Sequence, residues 1–171
     1  MMRGVRFEGD ELTRVPSPLT LSVVNDPLAF RIGSSNRSHV IVSRRRGEQG
    51  EAKDYDDDGW IDADVEIAAG AFQGRFTAQV QSGDFARFRE QLRPLYAQLR
   101  GQAVFATDEG WLLIEVEGDG KSHFHASCKA DDQPGIGNKL TFSIDFDQTE
   151  LPDILKGLDA ICEAFPVASR R

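Results

Sequence analysis

Asp54-Tyr55-Asp56-Asp57-Asp58-Gly59 sets carboxylates at the first, third and fifth positions of a calcium-type loop and a glycine at the sixth. The closing position, where a bidentate glutamate should complete the shell, is Val65, and Glu66 comes one residue late. The flanks read as loop and strand rather than helices, so the segment is taken as an acidic entry into a hairpin. His123 and His125 stand two apart on a predicted strand and therefore share a face, a geometry that a two-histidine metal site can use. No third ligand lies in the immediate sequence, with His39 and Asp145 the remaining candidates in kind. No bound metal and no cofactor are expected.

Catalytic patterns are equally thin. Neither a Gly-x-Ser-x-Gly elbow nor a phosphate-cradling glycine loop occurs. Gln133-Pro134-Gly135-Ile136-Gly137-Asn138 is glycine-rich, but it precedes a strand, and no helix follows to present amides to phosphate. Asp62 with Asp64, and Asp145 with Asp147, fall on one face by the period of two, the arrangement of a glycosidase-type pair, and acidic chains produce such pairs by chance. Arg44-Arg45-Arg46 lacks interleaved aromatics and lies in a negative chain, which reads as a solvated edge and not a nucleic-acid site. No catalytic residue is assigned, and the protein is expected not to be an enzyme.

The elements that hold these residues follow from periodicity. Ile61, Ala63, Val65 and Ile67 alternate with Trp60, Asp62, Asp64 and Glu66, a strand with one buried face. Phe72, Gly74, Phe76, Ala78 and Val80 continue the rhythm after a turn at Ala69-Gly70-Ala71. The same period recurs in Leu112, Ile114 and Val116, in Phe124, Ala126 and Cys128, and in Leu140, Phe142, Ile144 and Phe146. Leu28 to Ile32 and His39 to Ser43 are two shorter strands around a turn. Phe85, Phe88, Leu92, Leu95, Tyr96 and Leu99 fall on one helical face, with Ser82 or Asp84 as cap, Gly101 as terminator and Pro94 as a bend. A second apolar stripe from Leu151 to Phe165 has Thr149 as its cap, Pro152 in its first turn and Pro166 as its stop.

One-faced strands and one-striped helices bury their apolar surfaces as layers, so the expected fold is α+β: a mostly antiparallel, meandering sheet with two α-helices packed on one face. The expected organisation is a loose arm over residues 1–27, one domain over 28–167 and a disordered tail over 168–171. At 171 residues and 18.9 kDa such a domain buries a core without staples. Cys128 and Cys162 are expected as reduced core residues. No apolar run approaches membrane-spanning length and the first residues lack a signal-type apolar stretch, so a cytoplasmic location is expected. The net charge of −8 is unevenly spread, with a basic first 50 residues and a strongly acidic remainder. That balance repels nucleic acid and favours a basic partner.

Trp60, Phe72-Gln73-Gly74, Gly137-Asn138-Lys139-Leu140-Thr141-Phe142, Asp147-Gln148-Thr149-Glu150-Leu151-Pro152 and Phe165-Pro166-Val167 together resemble the WapI-like immunity proteins of bacteria. The resemblance runs over about residues 58 to 167. It implies a small cytoplasmic protein that binds and neutralises the toxin domain of a polymorphic secreted toxin. The basic, proline-containing first 50 residues depart from it. The matching residues set the fold, and no toxin contact is carried over from the family. The candidate partner-binding surface is therefore read from charge alone: Asp56, Asp57 and Asp58 with Trp60, Asp62, Asp64 and Glu66, an anionic patch beside an indole anchor for a basic toxin domain. Neither nucleic acid nor membrane is expected as a partner, and the oligomeric state is open. A binding protein for another ligand, and a hydrolase working on the polar sheet face, are the alternatives.

Overall fold

The computed structural model describes residues 26–34, 37–45 and 59–167. The arm up to residue 25, the acidic loop up to Asp58 and the tail from residue 168 lie outside the described residues. Eight strands and two helices follow in the order β1 (Ala29–Gly33), β2 (His39–Arg44), β3 (Trp60–Ala69), β4 (Phe72–Gln81), α1 (Ser82–Gln98), β5 (Arg100–Ala106), β6 (Leu112–Asp119), β7 (His123–Asp131), β8 (Lys139–Asp147) and α2 (Leu151–Ala164). A 3-10 turn, Gln148–Glu150, leads into α2.

The α+β class and the antiparallel meander stand, and the meander is divided into two four-stranded sheets. The first has the order β1-β2-β3-β4 and the second β5-β6-β7-β8, with every pairing antiparallel and between chain neighbours. The division falls where α1 interrupts the run of strands. Short connections make hairpins the cheapest pairings on either side of it. In β3 the alternation is complete, with Ile61, Ala63, Val65 and Ile67 buried and the residues between them half-buried.

The helices lie beside edge strands. Helix α1 packs along β5, α2 packs along β1, and the helices pack on each other. The approach of α2 is close at Gly157, where a Cβ would overlap the Ala29 carbonyl oxygen and come within 3.1 Å of the Phe30 Cα. One apolar core joins both sheets and both helices. Phe30 from β1, Phe85 and Phe88 from α1 and Phe105 from β5 meet at ring-centroid distances between 5.4 and 6.2 Å. Each such fully buried side chain contributes about 1.5–3 kcal/mol. Strand β8 faces β1 across this core, its Ile144 filling the space against Gly33.

The helix ends differ in detail from the sequence expectation. Gln81 is the cap of α1: the Asp84 carboxylate accepts the Gln81 N–H at 3.1 Å in a reciprocal capping box. The left-handed residue that ends α1 is Leu99, at φ 58°, not Gly101. Its carbonyl accepts the Gly120 N–H at 2.7 Å, and Gly118 lies so close that a Cβ there would overlap the same carbonyl. Helix α2 begins after Glu150, with no cap from Thr149.

Candidate functional site

Two polar sheet faces look outward, and each gathers residues that the sequence had singled out. On the first sheet, register places Asp62 opposite Gln79, Asp64 opposite Thr77 and Glu66 opposite Arg75. These residues share the outer face because directly paired antiparallel positions project to the same side. Asp64 is braced: Thr77 Oγ1 donates to it at 3.1 Å and Arg75 Nη2 at 3.4 Å. Glu66 has His39 Nε2 at 3.8 Å. Trp60 opens the row, half-buried. The structure thus brings Trp60, Asp62, Asp64 and Glu66 into one line on β3, while Asp56, Asp57 and Asp58 lie outside the described residues. Val65, which occupies the closing calcium position, is a fully buried core residue pointing away from any such shell.

The second sheet aligns two histidine–carboxylate pairs. His123 is opposite Asp147 and His125 opposite Asp145, each with its Nδ1 at 2.7 Å from the aspartate Oδ1. Each aspartate thereby fixes the orientation of its imidazole ring on the sheet face. All four side chains are well exposed. They line an open groove of about 820 Å³ together with Glu117, Asp119 and Glu150, and with Arg37 from the β1–β2 turn. Asp119 is held below the usual carboxylate range chiefly by the Lys121 backbone N–H at 2.6 Å, with the His123 and Ser122 amides adding to it. Among the described residues no cluster of three or more metal-binding side chains forms. Two histidines side by side on one sheet face, each oriented by its own aspartate, form an exposed polar surface.

The remaining candidates resolve into structure. Arg44 stands over the Phe165 ring at 5.7 Å, and Arg45 is an exposed residue whose backbone N–H donates to the Asp62 carbonyl at 2.9 Å. Arg46 lies outside the described residues. Cys128 is buried, its thiol pushed up to about 12 by burial, and Cys162 is half-buried with its thiol also raised by burial. The glycine-rich segment is a turn: Asp132 accepts the Asn138 N–H at 2.7 Å and its Nδ2 at 3.0 Å, and a Cβ on Gly137 would overlap the Asp132 carboxylate.

A family model described as the immunity protein WapI-like family matches residues 31–166. The chain belongs to the WapI-like immunity family. The match spans both sheets and both helices. Comparison with curated proteins found no match. The motif residues that carry the WapI-like resemblance are spread through the fold: Gly137 and Asn138 close the β7–β8 turn, Leu140 and Phe142 pack against the core, and residues 147–152 carry β8 into α2.

What sequence reasoning missed in the WapI-like chain is the joining of distant pieces. Arg37 and Glu150 enter the groove from a turn and from the start of α2. Nothing local in the chain marks that meeting. The facing of His123 with Asp147 and of His125 with Asp145 could have been found, because a short turn between β7 and β8 leaves few registers that keep Phe124 and Phe146 both inside.

Proposed function

We propose that this chain neutralises a polypeptide toxin by binding it and blocking it, with the outward row Trp60, Asp62, Asp64 and Glu66 as part of the contact surface and a basic toxin domain as partner. The observation that carries this reading is the match to the immunity family over residues 31–166. The half-buried acidic row supports the choice of surface: negative charge fixed on a rigid strand steers a basic partner and an indole offers an anchor. Among the described residues no helix is long and apolar enough to cross a membrane, and the reading places the encounter in the cytoplasm.

Growth tests it. The chain is co-expressed with carboxy-terminal toxin domains of polymorphic secreted proteins, beginning with any encoded beside its gene. Restored growth that tracks a stable complex of the two polypeptides is the expected result. Protection against none of them, with the chain expressed and folded, overturns the reading.

One observation favours a second reading. The 820 Å³ groove holding His123, His125 and Asp145 is a recess where a hydrolase on the polar sheet face would work. Against it stands the exposure of both pairs. Hydrolysis of a phosphodiester or glycoside panel that disappears in His125→Ala would establish it.

A further inference from the structure

Of the four edge strands, β1 and β5 each have a helix alongside, and β4 and β8 do not. Strand β4 has the features of a docking edge. It runs ten residues, Phe72–Gln81, which is about 33 Å of extended backbone, without a proline or an acidic residue in a chain of net charge −8. Among the described residues no strand pairs with its outer edge, which is bonded at its last residue, where Asp84 accepts the Gln81 N–H. Its first four residues are exposed, Phe72 at 68%.

The two sides of β4 differ in chemistry. Phe72, Gly74 and Phe76 lie on the core-facing side, in register with Ala69, Ile67 and Val65. Phe76 stacks on Trp111 with centroids 6.4 Å apart, whereas a Cβ on Gly74 would meet nothing within 4 Å. This leaves a notch in an aromatic row, of the kind that a neighbouring strand's side chain fills. The outward side carries Arg75, already turned to Asp64, then Thr77 and Gln79. A strand added to β4 would lie about two strand spacings, roughly 10 Å, from the acidic row on β3, within about one screening length at physiological salt.

We infer that β4 receives an extended segment of the partner polypeptide as a fifth strand, one whose residues alternate between apolar and basic. Backbone bonds supply the affinity, apolar side chains fill the notch between Phe72 and Phe76, and basic side chains face Asp62 and Asp64 past the amide and hydroxyl side chains of β4. This deepens the toxin-neutralising reading and rests on it for the identity of the partner, while the edge itself is testable alone.

The probe for the edge is a ten-residue peptide of alternating valine and lysine added to the full chain, with binding followed by anisotropy and amide exchange. The expected result is at least tenfold tighter binding than its block isomer of five valines followed by five lysines, with slowed exchange confined to β4. Phe72→Lys and Gln79→Lys, both at exposed positions, should each weaken it by tenfold or more with unchanged thermal melts. Equal affinity for the block isomer, or protection outside β4, overturns the inference, as does sedimentation showing that β4 is occupied by a second copy. In co-expression, neutralisation that survives both substitutions overturns the edge strand and leaves the toxin-neutralising reading intact. Absence of neutralisation by the unaltered chain overturns that reading, and the peptide result still decides the edge.

Discussion

Asp84 has no solvent exposure at its side chain, and burial raises its carboxyl above the usual range, against the opposing pull of the Gln81 N–H and Arg87. A raised acid means that the folded state holds a proton which the unfolded chain has already released. Stability therefore falls as pH rises from the ordinary aspartate range through the folded value, and is level above it. Asp84→Asn keeps an oxygen for the Gln81 N–H and removes the titration. Its denaturant midpoint should be flatter with pH across that window, while Asp84→Ala should cost about 0.5–2 kcal/mol as a lost helix cap. Gly137 makes a second residue-scale prediction. Gly137→Ala pushes a methyl into Asp132, so unfolding free energy should drop by about 1–3 kcal/mol, with Asn138→Ala milder because backbone bonds of the turn remain. The sequence singled Gly137 out as a turn residue, yet the reason for glycine there is the carboxylate of Asp132, which only the closed turn brings near.

Periodicity exposed most of the elements because most strands bury one face cleanly, β3 and β7 above all. Strand β5 escaped because only Ala103 and Phe105 of its seven residues are buried, too short a rhythm to read. The split into two sheets escaped for a different reason: alternation says which face is apolar and is silent on which strand lies beside which. Gly157 is the clearest case of a residue whose element was read correctly and whose purpose was not. Inside a helix a glycine costs about 1 kcal/mol relative to alanine, so propensity alone favours Gly157→Ala. Its position against Ala29 reverses the sign. We expect this substitution to lower unfolding free energy by about 1–3 kcal/mol through displacement of α2 from β1, measurable by denaturation and by faster amide exchange in β1.

At the scale of the molecule, charge on rigid outer faces is what a partner meets first. Asp62→Lys, opposite the uncharged Gln79, avoids the braced Asp64 and should leave the melt intact, slow association with a basic toxin domain and flatten its salt dependence. Trp60→Ala should raise the dissociation rate instead, by an amount that reaches about 2 kcal/mol or more for an interface anchor. Unchanged kinetics in both variants would move the interface off this face. The row on β3 was legible in the chain because all four residues sit on one strand; the groove of the second sheet was not, since it is assembled from five separate segments. The local pairing of the strands has a further consequence, in the time order of synthesis. Each sheet can zip from successive hairpins as the chain leaves the ribosome, and β1 is among the earliest strands made. The helix that lies along β1 is made after all eight strands. Until α2 arrives, the nascent protein carries a finished sheet with a bare apolar flank, and the interval is set by the translation of residues 82–164, a window in which a chaperone would find its substrate.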